Sequence, residues 1–266
     1  MPSYDPVQSA SRTLELLVAL NERTISSVDQ LHRRTGLPKA TVVRLLQTLV
    51  ATGFVTNDRR QGGYQVTSQV QSLSCGFHGD PMVIQAGRAW AIGLTQRHKW
   101  PVSIATLDQD RVVVRFSTIA DSAISPFHGT INRRLSLVSR ALGRAYLAFC
   151  SATERRILID MLPQSSCPEN AAVGDRAELM RMLMGVRRRG YALRDPKVEP
   201  RNSNTLAVPI FSGDRVLATL GLTYFNAALR DPAAFALLVS ELREASAKIS
   251  ESVQLLEGYP RPADPG

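Results

Sequence analysis

Cysteine is scarce in this chain: Cys75, Cys150 and Cys167 are its only three, far apart and odd in number. They form no CxxC pair, which argues against a disulfide framework or a zinc site and fits a reducing compartment. Long apolar runs are missing too. The runs present, such as residues 147–150, cover only a handful of positions and cannot span a membrane. The opening residues Met1-Pro2-Ser3-Tyr4-Asp5-Pro6 carry no basic run ahead of an apolar stretch. No secretion signal is therefore expected, and the cytoplasm is the expected location. Catalytic signatures are equally absent, with no GxSxG, SxxK, P-loop, GxGxxG or HExxH. The histidines His32, His78, His98 and His128 are scattered, without a carboxylate at ligand spacing. Nothing here points to an enzyme, a metal or a cofactor.

What the chain does have is length and positive charge. Its 266 residues, 44% of them apolar, suit one large or two modest domains with a true core. A net charge of +9 favours anionic partners, nucleic acid first. The distribution is more telling than the total. Residues 1–80 hold eight Lys/Arg against six Asp/Glu, a net of only +2. Between positions 31 and 60, however, six basic residues (Arg33, Arg34, Lys39, Arg44, Arg59, Arg60) face a single acid, Asp58.

Apolar periodicity divides the chain in two. Residues 8–21 place Ala10, Leu14, Leu17 and Val18 at helical spacing, with Leu20 nearby. Ser27 and Gln30 are spaced as a capping box for a second helix that ends at Gly36. A third helix is expected over 38–52, with Pro38 in the first turn and Gly53 after its end. Two short extended stretches, 54–57 and 64–66, flank a glycine-bearing loop and read as a hairpin. Helical patterns at 68–75 and 82–98 follow, broken by Gly79-Asp80-Pro81. Strands are then expected at 102–107, 111–118, 191–194, 205–211 and 216–224. Helices are expected at 139–150, 153–162, 177–189 and 233–256. Strands mixed with helices, with hairpins prominent, indicate an α+β domain around an antiparallel sheet. The tail 258–266 carries three prolines and reads as disordered.

Three short helices and a hairpin within the first third match a winged helix-turn-helix. That layout needs a helix that buries one stripe and offers the other to the major groove. On the third helix Val42, Leu45, Leu46 and Leu49 form the buried stripe. Ala40, Arg44 and Gln47 lie opposite, flanked by Thr41, Val43 and Thr48. Arg44 suits a guanine edge or a phosphate, Gln47 an adenine, and Val43 a thymine methyl. Lys39, Arg33 and Arg34 suit backbone phosphates, while Arg59 and Arg60 at the hairpin tip suit the minor groove. Arg44 or Gln47 alone reads more readily as a solvated polar position. An acid-free face from Lys39 to Thr52 beside a basic hairpin favours double-stranded DNA.

Residues 8–17 (QSASRTLELL) and 31–52 (LHRRTGLPKATVVRLLQTLVAT), with Gly53-Phe54-Val55 and Gly63-Tyr64, resemble the opening of IclR-family transcriptional regulators. Residues 135–150 (LSLVSRALGRAYLAFC), 188–191 (RRGY) and 206–224 are similar to that family's effector domain. The resemblance covers nearly the whole chain. It implies a winged helix-turn-helix at 7–68, a helical linker at 69–82 and a GAF-like α+β effector-binding domain at 83–258, leaving 259–266 as a tail. It also implies a homodimer or homotetramer on an operator, a small organic acid as effector, and RNA polymerase as a partner if the protein activates. Aromatic-acid catabolism is the pathway class that the resemblance suggests.

A metabolite carboxylate needs converging donors, which a helix N-terminus supplies. The resemblance places the pocket at Ala141 and Leu142 of the 139–150 helix, at Thr205, Gly221 and Thr223 on strands, and at Asp195 near the mouth. Leu142 and Gly221 depart from the family pattern, which has a small residue and often a serine at these positions. Arg140 is suited to a bidentate pair with the carboxylate, and His128 to the pocket wall. Each of these residues reads also as ordinary capping or sheet packing. Arg133 and Arg134 read as solvated surface. Two other readings remain open: an enzyme with an appended helical module, and a DNA-binding protein whose large domain only oligomerises. A non-aromatic organic acid as effector is the alternative within the regulator reading.

Overall fold

The computed structural model describes residues 5–58, 60, 62–74, 81–125, 130–171 and 174–257. The expected tail therefore lies outside the described residues, as do Arg59, Cys75 and His128. The chain separates into two compact units, residues 1–79 and 80–266.

The first unit begins with helices α1 (Gln8–Asn21), α2 (Val28–Thr35) and α3 (Lys39–Ala51). The capping box exists: the Gln30 N–H donates to Ser27 Oγ at 3.3 Å and the Ser27 N–H to Gln30 Oε1 at 2.8 Å. Gly36 closes α2 in the left-handed region at φ 71°, a conformation that favours glycine. Antiparallel strands β1 (Val55–Asp58) and β2 (Gly63–Val66) form the hairpin. Tyr64 and Ser26 exchange two backbone hydrogen bonds of 2.9 Å, which tie the hairpin to the loop between α1 and α2. A core of Leu16, Leu20, Leu31, Val42, Leu46 and Val55 joins these elements.

α1 buries only part of the expected set. Leu16, Leu17, Ala19 and Leu20 are buried, whereas Ala10 is exposed and Leu14 and Val18 are 63% and 64% exposed. The helix carries apolar residues on two faces, and packing against α2 and α3 selects the C-terminal one. Residues 68–74 form a 3-10 segment rather than an α-helix.

The second unit holds a six-stranded antiparallel sheet in the order β5-β4-β3-β8-β7-β6. The strands are β3 (Val102–Asp108), β4 (Arg111–Ser117), β5 (Arg134–Ser136), β6 (Ala192–Leu193), β7 (Ser203–Ser212) and β8 (Arg215–Phe225). Alternation along β7 and β8 sorts the side chains to two faces. Leu206, Val208, Ile210, Ala218, Leu220 and Leu222 pack with α4 (Met82–His98) and α9 (Pro232–Glu257). The opposite face meets α5 (Ala141–Phe149) and, through it, α6 (Ala152–Met161) and α8 (Arg176–Arg189), while α7 (Pro168–Ala171) is a single turn. The chain thus forms an N-terminal helix-turn-helix unit and a C-terminal α+β unit around an antiparallel sheet. The short β5 and α7 had no separate sequence signal, being three and four residues long. The helix expected from 139 starts at Ala141, because residues 137–140 form a turn.

Candidate nucleic-acid interface and ligand pocket

The outward face of α3 is built from the ridge beneath it. Val42, Leu46 and Leu49 are buried and Leu45 is half-buried. That leaves Lys39, Ala40, Arg44, Gln47 and Thr48 exposed, with Thr41 and Val43 half-exposed, and no acid in the helix. Each buried leucine contributes roughly 1.5–3 kcal/mol, so the helix cannot roll to hide its polar face without losing several of these. Contacts from the segment after the hairpin hold the far end of α3. Thr67 Oγ1 donates to the Gly53 carbonyl at 2.6 Å and Gln69 Nε2 to the Thr52 carbonyl at 3.2 Å.

The surrounding cations are not all free. Lys39 Nζ sits 2.7 Å from Asp29 Oδ1, and Arg34 pairs with Glu22. The hydrogen bond from Lys39 and its charge hold the Asp29 carboxyl below its ordinary range. Both pairs are well exposed, so they contribute little and a phosphate can displace them. Arg33 is exposed on α2, and the exposed Arg60 donates its backbone N–H to Asp58 Oδ1 at 2.9 Å. One cation escaped the sequence reading. Arg12 of α1 lines the same surface groove as Thr41, Arg44, Gln47 and Thr48. Only packing of α1 beside α3 brings it there.

In the second unit a cavity lies between the start of α5 and the sheet. It is narrow, about 50 Å³, and reaches about 510 Å³ of atom-free space when its open mouth is counted. Ser103, Val114, Thr130, Arg133, Leu135, Arg140, Ala141, Leu142, Arg194, Thr205, Gly221 and Thr223 line it. Six of the expected effector residues are therefore brought together. Thr205 and Thr223 stand opposite in the β7–β8 register and share a 2.9 Å hydroxyl–hydroxyl hydrogen bond. Gly221 and Leu142 fit as a pair. A Cβ at Gly221 would lie 2.8 Å from Leu142 Cδ2, so the large residue on the helix occupies the room left by the glycine on the strand.

Two of the expected residues already have protein partners. Arg140 does not wait for a ligand: its Nε and Nη2 donate to Glu169 at 3.0 and 2.5 Å, and its Nη1 to the Glu199 carbonyl at 3.2 Å. Burial pushes the Glu169 carboxyl up, but hydrogen bonds from Arg140 and Ser139 outweigh it and hold the group below its ordinary range. Asp195 is not among the lining residues; it accepts from Arg144 Nη2 at 2.6 Å. Arg133, read as surface, lines the cavity. Arg194, a position the sequence reading passed over, is 4% exposed and also lines it. Ser103 faces in because β3 pairs it with Gly221, a register invisible in the sequence.

The described lining residues include no carboxylate, histidine or cysteine to serve as general acid, base or nucleophile. Burial, aided by Glu154, pushes the Cys150 thiol up to about 12, so its thiolate is unavailable at neutral pH. Among the described residues no group of three metal-ligating side chains occurs, and no helix is long and apolar enough to cross a membrane.

Comparison with known proteins adds an independent line. Residues 9–59 match the IclR helix-turn-helix domain, and residues 82–251 match the bacterial transcriptional regulator IclR C-terminal domain. The transcriptional regulator XynR of Escherichia coli is 26% identical over 256 residues, covering 96% of this chain and 98% of that protein. The regulator KdgR of the same organism is 26% identical over 224 residues, covering 83% of each. The fold matches that of IclR from Thermotoga maritima with a TM-score of 0.63 at 17% identity, over 94% of this chain and 100% of that one. An IclR homolog from Microbacterium hydrocarbonoxydans, solved with 4-hydroxybenzoate, gives a TM-score of 0.60 at 22% identity, over 93% and 99%. The chain belongs to the IclR family of bacterial transcriptional regulators, with a DNA-binding helix-turn-helix head and a ligand-binding C-terminal domain.

Proposed function

We propose that the protein is an operator-binding regulator whose DNA affinity or activating power is set by a small aromatic carboxylate held between α5 and the sheet. The observation that carries this reading is the cavity wall. Among the described residues Arg133, Arg140 and Arg194 line it, Arg140 already paired with Glu169, beside the apolar Val114, Leu135, Ala141 and Leu142. Cationic and apolar surfaces together suit a ring that bears an acid group. Two resemblances support the aromatic class. The fold neighbour from M. hydrocarbonoxydans was solved with 4-hydroxybenzoate. Trp100-Pro101, Ala105-Thr106-Leu107-Asp108, Phe127-His128 and the Arg133-Arg134-Leu135 stretch also resemble the activator of 3-hydroxyphenylpropionate degradation. The narrowness of the cavity favours a second reading, a non-aromatic organic acid of a few carbons.

On the DNA side, Ala40, Thr41, Val43, Arg44, Gln47 and Thr48 of α3 meet the bases, while Arg33, Arg34, Lys39 and the hairpin arginines grip phosphates. The same reading includes a second copy of the chain on a palindromic site, and α4 as the relay from pocket to head. A mobility-shift titration on DNA upstream of the protein's own gene tests it. Arg44→Ala is expected to weaken binding by roughly 1–3 kcal/mol, and adding 4-hydroxybenzoate to the wild type to change affinity several-fold. Unchanged binding in both arms rejects the reading.

A further inference from the structure

The three cavity arginines are not equivalent. Arg140 is fully engaged by Glu169 and the Glu199 carbonyl. Arg133 is exposed at the rim. Arg194 is the buried one, and its two terminal nitrogens are used differently. Nη2 donates to the Pro200 carbonyl at 2.6 Å, to the Ser203 carbonyl, and to Ser203 Oγ at 3.2 Å. Nη1 is shielded from solvent and has no hydrogen-bond partner among the described residues. A guanidinium nitrogen left without an acceptor away from water is costly, and such groups in native proteins are rare enough to require a reason. The surroundings add to the cost, since burial and then the charges of Arg140 and Arg133 pull the Arg194 pKa down. An anion held against Arg194 in the cavity supplies the missing acceptor and opposes the charges of Arg140 and Arg133.

We infer that Arg194 Nη1 is the donor that anchors the carboxylate of the ligand, and that Nη2 couples the bound acid to the 199–203 segment. This rests on the reading of the cavity as an effector site but does not depend on the acid being aromatic. One open guanidinium nitrogen beside an Arg140 already paired with Glu169 fits a monocarboxylate. The two jobs of Arg194 also make one event of ligand capture and the fixing of the strand entry at Ser203, because the same planar group holds both. A neutral amide offers Nη1 only an uncharged carbonyl, without the charge assistance of a carboxylate, and binds more weakly for that reason.

The test is a thermal-shift and calorimetric titration of the full chain with 4-hydroxybenzoate, with a short aliphatic monocarboxylate such as propionate, and with the neutral 4-hydroxybenzamide. Wild type and Arg194→Lys are compared, and the 15N side-chain resonances of arginine in the wild type are followed on adding each acid. The expected result is that an acid, but not the amide, raises the melting temperature and moves one guanidinium resonance. Loss of the planar fork in Arg194→Lys is expected to weaken the acid at least about tenfold. A response to propionate alone keeps the anchor and rejects the aromatic reading of the pocket. The anchor is overturned if no carboxylate stabilises the wild type, if the amide binds as well as the acid, or if acid binding leaves every guanidinium resonance in place. The resonance measurement still decides the matter should Arg194→Lys fold poorly.

Discussion

Gly143 shows how much a single position can fix. A Cβ there would sit 2.1 Å from the Ser136 carbonyl oxygen and 2.6 Å from Leu137 Cα, both backbone atoms that cannot swing aside. The start of α5 can approach the β5 end only because this side chain is missing. Gly143→Ala is therefore expected to destabilise the C-terminal domain by roughly 1–3 kcal/mol, read as a lower melting temperature and weaker acid binding together. A variant as stable as wild type would mean that α5 and the 136–140 turn slide apart freely. Such residue-scale constraints were only partly legible. Ala141 and Leu142 were placed at the pocket by the family resemblance, but the backbone packed against Gly143 was hidden. Arg194 had no signature at all, since a buried arginine and a surface one look alike in a string of letters.

At the scale of elements, helix α1 is the informative case. Its C-terminal half buries Leu16, Leu17 and Leu20, while Val7, Leu14 and Val18 remain mostly exposed. Within the helix Leu14 and Val18 are spaced i and i+4 and share one side, while Val7 precedes the first turn. Exposed apolar residues on a helix of the helix-turn-helix head suit a second copy of the same helix. Replacing Leu14 and Val18 by glutamate is expected to shift the protein to a smaller species in sedimentation while leaving its helical circular dichroism intact. An unchanged oligomer after that double change would place the subunit contact elsewhere. The α3 ridge was readable because only one of its faces is apolar. On α1 apolar residues occupy two faces, and spacing alone gave no basis for choosing between them.

The molecule as a whole carries several carboxyls held below their ordinary values. In Asp110, Glu169 and Glu241 burial pushes the pKa up, but hydrogen bonds prevail, from Ser165 and Arg111, from Arg140 and Ser139, and from His98 and Arg97 respectively. A carboxyl with a depressed folded pKa adds stability that is complete above its unfolded pKa and is lost as pH falls through the folded one. The ordinary values here are 3.8 for aspartate and 4.5 for glutamate. The melting temperature is thus expected to hold steady from neutrality to about pH 5 and to drop below it. Calorimetry across a pH series reads this directly, and Glu169→Gln is expected to flatten part of the acid-side fall. A melting temperature that rises on acidification would contradict the assignment.

Local chemistry was enough to determine the first unit's helices, its caps and the acid-free face of α3, because caps, glycine stops and a single apolar ridge act over a few residues. The antiparallel hairpins of the second unit were readable for the same reason. The inside of the pocket was decided by tertiary structure alone. Ser103, Arg133 and Arg194 come from separate stretches of chain, and only strand register and the docking of α5 bring them around one space. Side-chain partners follow the same rule: Glu169 claims Arg140 from 29 residues away, a distance over which sequence patterns carry no information about contact.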